Sequence, residues 1–331
     1  MSQAPAPAET DLLVPLPAEG ETWDPHTIHT HYFGFCVPEA RIGGFAYIRY
    51  QPAFPLSQGG VIVYQGFDNN ALADMAFIDY QMTMPWPEVE GTTFTTANGL
   101  RFDFVEPGSR ARVTYSSTDG RLEIDVDATA VSPLAARGHV IPGEELHKGN
   151  APGGSEQFMH MTGTLTLDGE RHEVDCHYAR DRSWRQVRTE NRDAYAKEPI
   201  CWTPVYFDAD FAFNQVGVEA PGGHHFGWVS RGGEIRGLER VQRRVTKAHP
   251  QLFAPMAMEI DAEDDAGETY ALKGEAIALA PLAAWPNIAA FESLMRWEDG
   301  EGRVGYGPAQ SIWGQPAAHA MKKSASVVGA R

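Results

Sequence analysis

What most restricts the fold of this chain is a two-residue alternation of apolar and polar side chains, carried in short stretches and broken by glycine-bearing turns. It runs through residues 44–50, 60–64, 100–105, 111–115 and 122–126. A period of two sends successive side chains to opposite faces, which is the pattern of a half-buried strand. Asp119-Gly120 separates Tyr115 from Leu122, and Asp168-Gly169 separates residues 162–167 from 172–178. Both place glycine where a tight hairpin needs a positive φ. The second half repeats the style at 205–218, 226–230, 234–238, 256–261 and 270–277, with Gly232-Gly233 and residues 264–267 as turns. Helical periodicity is weak; residues 287–295 are expected to form one short helix ahead of a strand at 295–298.

Antiparallel meanders must hide their edges, and closure into barrels is the usual solution. The 331 residues exceed what one barrel needs, so two cores of about 150 residues each are expected. The chain reads as a disordered tail at 1–19, one barrel over 20–190, a second over 191–316 and a C-terminal tail at 317–331, with a polar linker at 189–199. Barrels of about eight strands can hold one small ligand. The 16 Phe, 11 Tyr, 8 Trp and 10 Met supply such a lining, and equally the filling of an ordinary core.

The formal charge of −17, from 44 acidic against 27 basic residues, repels nucleic acid and anionic lipid surfaces. Cys36, Cys176 and Cys201 form no CxxC pair and leave an odd count, so neither a disulfide framework nor a zinc knuckle is expected and a reducing cytoplasm fits. Residues 1–15 have no basic or apolar signal-peptide regions, and no apolar run approaches the roughly 20 residues of a membrane span. The usual motifs of nucleotide binding, serine hydrolysis and zinc hydrolysis are missing, and no cofactor is expected.

Two stretches concentrate chemistry. In His177–Trp184, alternation puts Asp181 and Ser183 on one face and Arg180, Arg182 and Trp184 on the other. This is either an Asp–Arg latch or a site in which Trp184 offers an apolar surface beside polar groups. In Cys201–Asp208, Tyr206 and Asp208 share a strand face. An apolar setting there would raise a carboxyl pKa and make Asp208 a general acid; a hairpin-turn aspartate is the alternative. His26, His29 and His31 lack zinc-ligand spacing and read as a surface segment or a lid ahead of the first strand, and His224-His225 follows Gly222-Gly223. No metal site is expected.

The runs Gly154-Ser155-Glu156-Gln157, Gly163–Gly169 and Arg180-Asp181-Arg182-Ser183-Trp184 resemble the signature of the superfamily containing carotenoid 1,2-hydratases (hydroxyneurosporene synthases) and AttH-like proteins. Fungal lipocalin-type Diels–Alderases look like distant relatives. Tyr206-x-Asp208 and Gly305-Tyr306-Gly307 with Trp313 extend the likeness over residues 20–315. The resemblance implies an all-β protein of two lipocalin-like (calycin) antiparallel β-barrel domains packed together. Its ligand would be a hydrophobic small molecule of terpenoid, steroid, prenylated aromatic or polyketide type. Carried across residue by residue, the catalytic positions are Arg182, Trp184, Tyr206 and Asp208, with Asp181, His177, Trp202 and Gln157 as substrate contacts. Arg182 stands where the family has His, and Arg185 where it has Gly. A guanidinium does not shuttle protons, although it can bind an anionic or carbonyl oxygen. The activity implied is hydration, dehydration or isomerisation of a double bond by a cofactor-independent lyase or isomerase; a non-catalytic carrier or a cyclase on the same fold are the alternatives. The oligomeric state is left open.

Overall fold

The computed structural model describes residues 6–136, 153–187, 199–219, 223, 225–282 and 288–328. Contacts divide the chain into two compact units, Met1–Tyr64 with Met75–Arg188, and Gln65–Asp74 with Thr189–Arg331.

The first unit holds β1 (Thr27–Val37), β2 (Ile42–Gln51), β3 (Leu56–Gln65), β4 (Phe77–Pro85), β5 (Glu88–Glu90), β6 (Thr93–Thr95), β7 (Arg101–Glu106), β8 (Arg110–Ser116), β9 (Leu122–Ala130), β10 (Ala135–Ala136), β11 (Gly153–Leu167) and β12 (Glu170–Val187). They form one sheet in the order β4-β3-β2-β1-β12-β11-β9-β8-β7-β6-β5, with β10 added beside β11. The sheet is curled and open rather than closed. Five pairings separate β1 from β7 along it, yet the Phe33 and Phe102 rings meet at 5.2 Å, so the far strands fold back over the centre. The Asp168-Gly169 turn forms as expected, with both residues at positive φ (49° and 84°), and Gly120 likewise at 72°.

The second unit holds β13 (Ile200–Asp208), β14 (Phe211–Val218), β15 (His225–Arg231), β16 (Glu234–Ala248), β17 (Pro255–Asp264), β18 (Thr269–Pro281), β19 (Ile288–Asp299), β20 (Val304–Gly314) and α1 (Gln315–Val328). Its eight strands close in sequence order into a barrel, β20 pairing with β13 through Ile200↔Ile312 and Tyr206↔Tyr306. Val205, Phe213, Ile260, Met258 and Trp297 fill its core. All-β architecture in two lipocalin-like units, one closed and one curled, is thus the fold.

Three expectations change. The helix expected at 287–295 is strand from Ile288 onward, because its backbone pairs on both sides, Ala290 with Ile312 and Phe291 with both Pro281 and Ser311. Ladder bonds on two flanks outweigh a weak helical preference; residue 287 lies outside the described residues. The tail expected at 317–331 is largely helix α1, residues 329–331 being outside the described set. The tail expected at 1–19 is ordered from residue 6: Ala6 N–H donates to Leu134 O at 2.7 Å, Ala8–Leu12 make a 3-10 turn, and Asp11 is 1% exposed. Residues 1–5 and most of the expected linker, 189–198, are outside the described residues.

Close strand packing requires glycine at several positions, Gly163 among them. A Cβ on Gly163, at φ +149°, would lie 2.1 Å from Asp125 O on β9. Gly163→Ala is expected to cost about 2–4 kcal/mol through strain and overpacking. Gly169→Ala, at a turn with open space around it, should cost only about 1–2 kcal/mol of left-handed backbone strain. Urea unfolding of the two variants measures the contrast.

Candidate functional site

Register across the centre of the first sheet brings a polar group into an aromatic interior. Phe33 on β1 stands opposite Arg180 on β12, which stands opposite Gln157 on β11; one step along, His31 stands opposite Arg182. Directly opposed residues of antiparallel strands share a face. His31, Phe33, Arg180 and Arg182 are each no more than 3% exposed. The His31 ring lies 5.4 Å from Phe94 and 5.1 Å from Phe104, and the Arg180 guanidinium stands 5.7 Å from the Phe33 ring centre.

Two cations in such a place must find compensation. Arg180 Nη1 donates to Asp11 Oδ1 at 2.7 Å and its Nε to Gln157 Oε1 at 2.8 Å. Gln157 is held in turn by Gly108 O (3.0 Å) and Ser132 O (2.9 Å). Arg180 Nη2 is buried with no hydrogen-bond partner among the described residues. Among the described residues Arg182 has four hydrogen bonds, all to backbone carbonyls: Thr10 O (3.2 Å), Thr30 O (2.9 Å), Ser183 O and Leu13 O. Burial pulls its pKa down to about 10, so it stays cationic at neutral pH. Trp184 is buried, its ring 5.9 Å from that guanidinium.

The histidines of β1 are not on a surface segment or lid. His29 and His31 are at most 1% exposed, and only His26 lies before the strand. His31 Nε2 lies 2.9 Å from Asp11 O, and a carbonyl only accepts, so Nε2 carries the proton and Nδ1 accepts the Tyr50 hydroxyl at 2.8 Å. His29 is fixed in the same sense, Nε2 donating to Pro15 O at 3.0 Å and Nδ1 accepting Arg185 N–H at 2.9 Å. Burial, then the Arg182 charge, pushes the His31 pKa well below its ordinary value and that of His29 to about 3. Burial raises the Tyr50 pKa. The set therefore comprises two guanidiniums, a neutral imidazole and a neutral phenol inside an aromatic wall. It can bind an oxyanion or carbonyl oxygen and move a proton near it.

The other expected site residues fall elsewhere. Asp181 accepts from Thr30 Oγ1 at 3.4 Å. His177 stacks on His160 at 4.6 Å, and burial, then His160, lowers its pKa. Tyr206, Asp208 and Trp202 belong to the second unit. Trp202 Nε1 donates to Asn214 Oδ1 at 3.1 Å. Burial raises the Tyr206 pKa. Asp208 is a turn residue: Oδ1 accepts from Asp210 N (2.9 Å) and Phe211 N (2.8 Å), Oδ2 lies 3.9 Å from Arg303, and the side chain is 43% exposed. The desolvation that a carboxylic general acid would need is not there. His224 lies outside the described residues; His225 Nδ1 meets Gln215 Nε2 at 2.9 Å.

The second barrel has a cavity of about 880 Å³, walled in part by Phe211, Tyr270 and Leu272. Its arginines are already paired, Arg231 with Glu268 at 3.0 Å and Arg303 with Asp299 at 2.6 Å. Among the described residues no three His, Cys, Asp or Glu side chains gather as a metal would require, and no helix is long and apolar enough to cross a membrane. Cys36, Cys176 and Cys201 are free thiols.

Fold and site define a lipocalin-like protein of two β units with a buried arginine–histidine–tyrosine group in the first. The chain belongs to the family described as Domain of unknown function (DUF7064), whose model matches residues 19–315. Solved structures with the same fold include an AttH-like protein from Nitrosomonas europaea (TM-score 0.55, 14% identity, 91% of this chain and 99% of that one). Another is kievitone hydratase from Nectria haematococca (TM-score 0.51, 12% identity, 86% of this chain and 88% of that one). The resemblance to the AttH-like and carotenoid hydratase-like group holds at the level of fold. No curated protein matches the sequence.

The neutral histidines make stability depend on pH. The folded protein keeps both imidazoles unprotonated, whereas the unfolded chain protonates them near pH 6.5. Their contribution is complete above that pH and is lost as pH falls toward about 3 for His29. Each histidine should add a slope of about 1.4 kcal/mol per pH unit once pH is well below 6.5. His29→Gln is expected to remove its own share, measured by urea unfolding at pH 7, 6 and 5.

Proposed function

We propose that the first unit binds an apolar small molecule through a carbonyl or carboxylate oxygen. It then adds or removes water at a conjugated double bond, or shifts that bond, without an organic cofactor. The observation that carries this reading is the placement of Arg180, Arg182, His31 and Tyr50 together inside an aromatic wall. When a proton leaves the carbon beside a carbonyl, or water adds across the conjugated bond, negative charge develops on the oxygen. Arg182, fixed in place and permanently cationic, meets that charge without reorganising. His31 Nε2–H can give its proton to departing hydroxide as Nδ1 takes the Tyr50 hydroxyl proton, and Nε2 then takes the proton from the substrate carbon as Nδ1 returns the other to the Tyr50 oxygen. The apolar body, of terpenoid, steroid, prenylated aromatic or polyketide type, lies against Phe94, Phe102 and Phe104. A fold neighbour that is a hydratase agrees with this chemistry. Asp208 has no part in it.

The test begins with native mass spectrometry and small-molecule extraction of the protein purified from its own host. Any captured molecule is then incubated with fresh protein. A gain or loss of one water, or a new isomer at constant mass, is the expected result. Arg182→Lys, which keeps the charge and loses the planar fork, should lower kcat/KM by about 10²-fold, and Asp208→Asn, which keeps the Oδ1 that accepts from the turn amides, should leave it within about twofold. A captured molecule returned unchanged would make the protein a carrier.

A further inference from the structure

The oxygens on the buried donors of the first unit come largely from one short stretch of chain. The Asp11 carboxylate lies on Arg180, the Asp11 carbonyl on His31 Nε2, and the Thr10 and Leu13 carbonyls on Arg182. That stretch is a five-residue 3-10 turn, Ala8–Leu12, with no side-chain cap at its start. It has little apolar surface to hold it: of its residues, Thr10 and Asp11 are the buried ones. What holds it is this set of polar contacts, with Asp11 Oδ2 also accepting Gly108 N–H at 2.6 Å. The site is not saturated by it, since Arg180 Nη2 still lacks a partner among the described residues.

We propose that residues 10–13 are an internal pseudo-ligand, and that the molecule they stand in for is an apolar carboxylate. Its carboxylate takes the place of the Asp11 side chain on Arg180, and the segment withdraws to admit it. This deepens the preceding section, because it rests on the same site and names the ligand's charge. Two cations in an apolar interior favour an anion strongly, since each is costly to bury unpaired. An incoming carboxylate exchanges one ion pair for another, while its apolar body gains contact with the phenylalanine wall. The uncharged analogue of the same ligand can offer Arg180 no charge in return for Asp11 and therefore binds poorly. The strap makes affinity depend on the difference between two carboxylates, one intramolecular and one free. Its contacts thus set a threshold concentration for entry.

The test uses the full chain and two fluorescent probes, cis-parinaric acid and its methyl ester. Asp11→Asn removes the competing carboxylate and keeps the shape of the side chain. It is expected to tighten parinaric acid binding at least tenfold and leave the ester within about twofold, the coupling lying in the ordinary range for linked sites. Equal or weaker parinaric acid binding in Asp11→Asn would overturn the proposal, as would equal tightening of the ester. The same point can be read in the unaltered protein by hydrogen exchange. Saturating parinaric acid should speed exchange at the amides of residues 10 and 13, whose N–H groups close the 3-10 turn, and unchanged exchange would contradict withdrawal. Tightening without turnover of any captured molecule would leave this inference standing and remove the catalytic reading. Turnover with no effect of Asp11→Asn would do the reverse.

Discussion

Two guanidinium groups on neighbouring inward positions of one strand dictate much of the first unit. Arg180 and Arg182 sit where a barrel strand would ordinarily present valine or leucine, and a buried cation without a partner is among the most costly things a fold can contain. Gln157 is oriented by two backbone carbonyls so that its own oxygen faces Arg180. The turn at Ala8–Leu12 is recruited to supply a carboxylate and carbonyls. His29 and His31, beside the same charges, stay neutral and are fixed in one tautomer by backbone groups. Each of these features follows from the need to satisfy positive charge away from water.

The second unit meets its polar groups differently. Asp264 and Asp299 fold back on the amides of their own turns, Asp264 on Ala266 and Glu268, and Asp299 on Glu301 and Arg303. Asp208 does the same at the β13–β14 turn. Carboxylates spent on turn amides stabilise hairpins, while Phe213, Met258 and Trp297 belong to the apolar core of the barrel. The closed barrel also holds buried polar groups, among them Arg243 paired with Glu219 and Gln215 bonded to Cys201 and His225, and its cavity is walled by charged as well as aromatic side chains.

The strands and hairpins were legible because a period of two and an Asp-Gly turn are local signals, as at 119–120 and 168–169. The same alternation put Arg180, Arg182 and Trp184 on one face. It also runs through His29, His31, Phe33 and Phe35, and following it would have extended β1 back over both histidines instead of leaving them on a surface segment. The role of residues 6–13 was not legible, because Asp11 meets Arg180 across 169 positions of sequence and the stretch is too poor in apolar residues to announce burial. Asp208 shows the opposite limit: a Tyr-x-Asp pattern looks the same whether the aspartate faces a cavity or caps its own turn, and Asp208 accepts from its own turn amides.

The most direct measurement is a crystal structure of the protein with the apolar molecule it captures from its host. The account requires an oxygen of that molecule within hydrogen-bonding distance of Arg180 or Arg182, its body against Phe94, Phe102 and Phe104, and residues 10–13 displaced. A molecule held instead in the 880 Å³ cavity of the second barrel, with Asp11 still on Arg180, would contradict it.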